Sequence, residues 1–185
     1  QGTVHLAEDL SLGREVALKL VEGPQADLPS VLGRFRREAE IVAKLDHPGI
    51  CTLYETGEDR GVPWIAMRYV EGESLSTWLK RETRMTPEQA ARVVYQTASG
   101  LATAHDRGVI HRDIKPANIY IEGPEEKVKL LDLGLAKASD DLKLTSPNAL
   151  LGTPFYISPE QYVDPTTVDA RADIFSLGIV MFELL

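Results

Sequence analysis

Eight consecutive residues, His111-Arg112-Asp113-Ile114-Lys115-Pro116-Ala117-Asn118, constrain this chain more than any other stretch. They place a carboxylate, a cation and a carboxamide at short fixed spacing. That is the set needed to hold a hydroxyl, a phosphate and a metal ion together. Asp113 can accept a hydrogen bond from an incoming hydroxyl and take its proton as a new bond forms. Lys115 can neutralise charge on a phosphoryl group in transfer. Asn118 offers a neutral oxygen to a hard cation, which suits Mg²⁺. His111 reads as a packing and hydrogen-bonding residue rather than a base.

The bulk composition fits a globular protein with a sizeable core: 185 residues, 43% hydrophobic. The formal net charge of -8 argues against non-specific nucleic-acid binding, which requires a basic face. Cys51 is the lone cysteine, so no internal disulfide framework is available and a reducing compartment is expected. It sits in the apolar run Ile50-Cys51-Thr52-Leu53-Tyr54 and reads as a packing residue. No signal peptide is visible, and the longest apolar stretch, Ile174 to Leu185, is shorter than the about 20 residues that span a bilayer. No membrane segment is expected in this piece, and a cytoplasmic location is.

In the front half, Glu15 to Val21 reads as a strand. Val16, Leu18 and Leu20 share one face, and Ala17, Lys19 and Val21 the other. A Lys on a half-buried strand is costly unless it is paired or functional. Leu32, Phe35, Ala39, Val42 and Leu45 recur at helical spacing. Glu38 lies at the border of that apolar face, one turn from Phe35 and Val42, where it can turn inward to meet Lys19. The helix is expected to end at His47-Pro48. Pro63 to Gly72 reads as a strand running into a flexible connector.

In the back half, Thr86-Pro87-Glu88-Gln89 is a helix start with a capping box, and Gly108 is the expected terminator. Lys127 to Leu131 is a second strand-like run, followed by Asp132-Leu133-Gly134. A carboxylate at a strand end followed by Gly can swing onto a metal ion. Between Asp132 and Glu160 lies a long polar segment with Ser139, Thr145 and Ser146. Ile174 to Leu185 is an apolar helix opened by Asp173.

Together these motifs resemble the eukaryotic-like, bacterial-type Ser/Thr protein kinases, with HRDIKPAN as catalytic loop, VALK as the VAIK strand and DLG as the DFG motif. The resemblance runs from Gly2 to Leu185 with the motifs in order. It implies an α+β, two-lobed protein-kinase-like fold: a small antiparallel β lobe with one helix and a mainly helical large lobe, incomplete here. The implied division is 1–67 for the small lobe, 68–72 for the hinge and 73–185 for part of the large lobe. Glycine-loop and large-lobe segments are expected to be missing at both ends. The implied activity is ATP- and Mg²⁺-dependent phosphoryl transfer to Ser or Thr of a protein substrate. Autophosphorylation in trans would follow from the same chemistry.

The resemblance assigns Asp113 and Lys115 to catalysis, and Asn118 and Asp132 to the metal. Gly2, Val4, Ala17, Lys19, Glu38, Met67, Tyr69 and Val70 would surround the nucleotide, with Lys19–Glu38 as an ion pair and Met67 at the back of the adenine pocket. Tyr69 and Val70 would offer backbone groups to the adenine edge. Arg112, Thr145, Thr153 and Glu160 would belong to the activation segment and its control, with phosphorylated Thr145 pairing with Arg112. Leu133 should fill the apolar slot of the usual Phe, Ser158 replaces the usual Ala before Pro159-Glu160, and Asp173 should bond the backbone of the catalytic loop. Arg68 departs from the Glu that many family members carry. A pseudokinase scaffold would typically lack one of Lys19, Asp113, Asn118 and Asp132, and all four are present. A small-molecule kinase would lack IKPA and the Ser-Pro-Glu ending. Inactivity of the truncated piece in isolation is the remaining alternative.

Overall fold

The computed structural model describes residues 3–20, 28–123, 126–133 and 154–185. Strands β1 (Val4–Asp9), β2 (Arg14–Leu20), β3 (Leu53–Asp59) and β4 (Val62–Arg68) form one antiparallel sheet in the order β1-β2-β4-β3. Helix α1 (Leu28–Val42) packs on it through the buried Ala39 and Val42. The side chains of Leu32 and Phe35 lie outside the described ones. The helix stops at Val42, well before the His47-Pro48 expected to end it. The Lys44 and Leu45 N–H groups turn back onto the Ile41 and Val42 carbonyls at 3.2 and 3.0 Å, a tighter turn. Leu45 is still buried, so the apolar period outlasts the helix.

Residues 68–72 lead into β5 (Gly72–Ser74), α2 (Leu75–Glu82) and α3 (Pro87–His105). The Thr86 hydroxyl accepts the Gln89 N–H at 3.2 Å while the Gln89 side chain accepts the Thr86 N–H at 3.1 Å. The capping box expected from the sequence is therefore present. At the other end Gly108 takes a φ of +73°, and the Val109 N–H reaches back to the Ala104 carbonyl at 3.0 Å. This left-handed close turns the chain toward the HRDIKPAN segment.

Strands β6 (Ile119–Glu122) and β7 (Lys127–Leu130) pair with β5 in the order β5-β6-β7. Helices α4 (Pro159–Val163) and α5 (Arg171–Leu184) complete the described elements. The result is the expected α+β class: a small antiparallel sheet with one helix, joined to a mainly helical part. One apolar cluster runs through both, from Leu53, Ile65 and Met67 to Leu101, Leu130, Leu177 and Val180. Among the described residues, no helix is long and apolar enough to cross a membrane.

Gly72 is fixed by a close approach. A Cβ there would sit 2.0 Å from the Ile121 carbonyl oxygen, which is backbone and cannot step aside. Gly108 faces open space but holds a positive φ. Gly72→Ala is therefore expected to cost more than about 2 kcal/mol through strand displacement, and Gly108→Ala about 1 kcal/mol through strain alone. Urea unfolding midpoints of the two variants check this order.

Candidate active site

The loop carrying Asp113 is held from behind by one buried carboxylate. Asp173, on the first turn of α5, is fully shielded from solvent. Its Oδ2 accepts the His111 N–H at 2.8 Å and lies 2.7 Å from His105 Nε2, while Oδ1 accepts the Arg112 N–H at 2.7 Å. Arg112 stands at φ +66°, a conformation that costs a non-glycine residue roughly 1–2 kcal/mol. Hydrogen bonds to a charged acceptor contribute about 1.5–3 kcal/mol each, enough to hold it there. Asp173 bonds the loop backbone as the sequence predicted; its partner His105 carried no motif and was not anticipated.

His111 is likewise fully buried. Its Nε2 lies 2.9 Å from the Leu131 carbonyl, and its Nδ1 accepts the Asp113 N–H at 3.3 Å. One ring nitrogen donates and the other accepts, which is the pattern of a neutral imidazole used as a spacer. The packing role expected for His111 follows from this geometry.

The chemical groups gather on the other side of the loop. Lys115 Nζ donates to both Asp113 oxygens, at 2.9 and 2.7 Å. The Asn118 amide nitrogen donates to the Asp113 carbonyl at 2.7 Å and to Asp113 Oδ2 at 3.0 Å. The β6–β7 hairpin sets Ile119 opposite Leu130, and the Leu131 N–H reaches the Asn118 carbonyl at 3.0 Å. Asn118 and Asp132 thus flank the same open end of the hairpin. Because its nitrogen is committed, Asn118 has its side-chain oxygen left for a cation. With one Asp132 oxygen this makes a sparse, all-oxygen donor set. It fits Mg²⁺, which keeps waters and substrate phosphates as its other ligands.

Lys19 meets Asp132 across the cleft, Nζ to Oδ2 at 2.6 Å. Asp132 itself sits at φ +61°. Glu38 lies half-buried on α1, with Oε2 shielded from solvent. The sheet register sets Val4 opposite Lys19 and Ala17 opposite Met67. Opposed residues share a face, so Val4, Ala17, Lys19 and Met67 line one side of the sheet. Val42, Cys51, Leu53, Met67 and the buried Leu133 enclose a small apolar recess beside Asp132. Leu133 thus occupies an apolar slot, as expected. Burial pushes the Cys51 thiol up to about 11. Beyond Met67, Val70 is buried and Tyr69 exposed.

The Ser158-Pro159-Glu160 turn is tied to the same loop. Ser158 caps α4 through Gln161, and Gln161 Nε2 donates to the Arg112 carbonyl at 2.9 Å. Ser176 Oγ donates to the Tyr156 carbonyl at 2.6 Å, and the Tyr156 hydroxyl donates to Glu183. Burial, reinforced by Glu183, raises the Tyr156 pKa. Glu160 lies half-buried in the first turn of α4. Gln161 and Ser176 were missed, although Ser158-x-x-Gln161 repeats the capping spacing of Thr86-x-x-Gln89. Gly2, Thr145 and Thr153, together with the proposed Arg112–Thr145 phosphate pair, lie outside the described residues.

A family model described as protein kinase domain matches residues 1–185. Serine/threonine-protein kinase PknB of Mycobacterium tuberculosis H37Rv is 44% identical over 188 residues, covering 98% of this chain and 30% of that protein. Serine/threonine-protein kinase PrkC of Bacillus subtilis is 40% identical over 182 residues, covering 98% of this chain and 28% of that protein. The chain therefore spans less than a third of the length of these relatives. The crystallised PknI kinase domain of Mycobacterium tuberculosis matches with a TM-score of 0.80 at 30% identity, covering 99% of this chain and 68% of that one.

Two expectations follow. Asp173→Asn turns one acceptor oxygen into a donor facing N–H groups, so the loop should shift. A loss of about 1–3 kcal/mol of stability is expected from the mismatched buried donors, read from the urea unfolding midpoint. Cys51 should be alkylated at pH 8 about 100-fold more slowly in the folded protein than in urea, because its raised pKa leaves less thiolate. Timed labelling with mass detection measures the ratio.

Proposed function

Because the chain belongs to the protein kinase domain family, we propose that it is the catalytic portion of a serine/threonine protein kinase. It would transfer the γ-phosphoryl group of ATP to Ser or Thr hydroxyls of protein substrates, and in trans to a second copy of itself. The observation that carries this reading is the convergence of Lys19, Asp113, Lys115, Asn118 and Asp132 on one cleft, bridged by the Lys19–Asp132 pair. Residues 1–67 would form the nucleotide lobe, 68–72 the hinge, and 73–185 part of the large lobe.

In the proposed reaction Asp113 orients the acceptor hydroxyl and takes its proton as the new O–P bond forms. Lys115 neutralises charge on the group in transfer while the bond to the ADP oxygen breaks. Mg²⁺, when bound, would neutralise the β- and γ-phosphates, held by Asn118 and Asp132. Lys19 would contact the α- and β-phosphates and draw Glu38 as its partner. Val4, Ala17 and Met67 would pack on the adenine, with backbone groups of Tyr69 and Val70 at its edge, and Gly2 would close over the phosphates. Arg112, Thr145, Thr153 and Glu160 would shape the activation segment. Such a unit would work where ATP is, in the cytoplasm.

Asp113→Asn in the intact protein should lower turnover by about 10²–10⁴-fold, the range for loss of a positioned acid or base. Nucleotide affinity should stay within about threefold, since Asp113 serves the acceptor. Phosphate transfer to casein, paired with calorimetric ATP binding, decides the matter. Full turnover in this variant would remove Asp113 from the role of base.

A further inference from the structure

The 68–72 connector begins and ends on the same residue. Arg68 Nη2 donates to Glu122 Oε1 at 2.7 Å. Four residues on, Gly72 stands opposite Glu122 in the β5–β6 ladder, in the close approach that excludes a side chain. Glu122 is therefore a common post for both ends of the connector. Its carboxylate side chain is 17% exposed, and its second oxygen lies 3.8 Å from Lys129 Nζ. The buried Lys129 ammonium also donates to the Pro48 carbonyl. The backbone of Arg68 is held as well: its N–H donates to the Thr52 carbonyl at 2.9 Å, and its carbonyl accepts the Cys51 thiol at 3.4 Å.

Side chains alternate across β4, so Met67 faces the cleft and Arg68 the opposite side. An ion pair between exposed groups adds little to global stability. This one differs in its place and in its surroundings. Glu122 and Lys129 are largely enclosed although the Arg68 side chain is 42% exposed, and the pair spans the joint between the small sheet and β6. Its removal takes one side-chain tie from a five-residue loop whose two ends remain in backbone ladders, Arg68 opposite Val16 and Gly72 opposite Glu122.

We infer that Arg68 and Glu122 form a clasp that fixes the curvature of residues 68–72 and so positions the Tyr69–Val70 backbone toward the adenine edge. Both are positioning residues for the nucleotide. The inference rests on the kinase reading above. It also gives Arg68 a partner, with the acid on β6 and the base at the end of β4.

A double-mutant cycle on the intact protein tests the clasp, with Arg68→Gln, Glu122→Gln and the double variant measured for KM(ATP), kcat and urea midpoint. Each single variant should raise KM(ATP) about fivefold with kcat within about twofold, and the double variant should be no worse than the larger single, as coupled partners require. Calorimetric ADP binding should follow the same order. The clasp is overturned if both singles keep the wild-type KM, or if the double variant shows the product of two independent effects. It is equally overturned if the variants lower the urea midpoint without separating KM from kcat. If the wild-type protein neither binds ATP nor transfers phosphate, the kinase reading fails, and that result is distinct from each of these.

Discussion

A carboxylate with no water around it must be supplied with hydrogen bonds by the protein, and Asp173 takes them from the loop that carries the reactive groups. Three donors converge on its two oxygens: the His111 and Arg112 amides and the His105 ring. Removing such an acceptor would leave buried donors unsatisfied. The loop therefore has little freedom to relax, even though Arg112 sits in an unfavourable backbone region. From this fixed base the rest of the site can be traced outward. His111 spaces the loop from Leu131, Asn118 ties itself to Asp113, and Gln161 brings the Ser158-Pro159-Glu160 turn onto the Arg112 carbonyl.

Polar contacts, beside the shared apolar cluster, join the small sheet to this base. Lys19 crosses the cleft to Asp132, the Cys51 N–H meets the Leu130 carbonyl, and Arg68 meets Glu122. The first lies inside the cleft and the third outside it, with the connector between. On the kinase reading, closure of the two parts would exclude water from a site that must first admit a nucleotide.

Local chemistry was legible in the sequence; partner choice across long distances was not. The Thr86 capping box, the Gly108 terminator and the strands around Lys19 and Lys129 are set by neighbours within a few residues, so pattern alone places them. The Asp173 contact was also foreseen, but only through family resemblance. The end of α1 was misjudged because Leu45 keeps the apolar period after the backbone has left the helix. Lys19 was matched to Glu38 on pattern and resemblance. What was not foreseen is that its ammonium also lies 2.6 Å from Asp132, 113 positions away by sequence number, through a tertiary approach that no local rule encodes. Arg68 looked like an unexplained departure until β6 placed Glu122 beside it.

Two ion pairs lie in the cleft among the described residues: Lys19 with Asp132, and Lys115 with Asp113. Two cations and two anions in a partly enclosed cleft would otherwise repel within each sign or pay for desolvation singly. On the kinase reading, the first pair is also a held reserve. A polyphosphate would compete for the lysines, and Lys19 drawn off Asp132 would leave the second oxygen of that carboxylate available for metal. Nucleotide and metal would then favour one another's binding through Lys19 and Asp132, with a reciprocal coupling. Asn118 stands outside this exchange, since its amide nitrogen stays on Asp113 and its neutral oxygen needs no release. That difference in charge gives the carboxamide a purpose at this position that a third carboxylate would not serve.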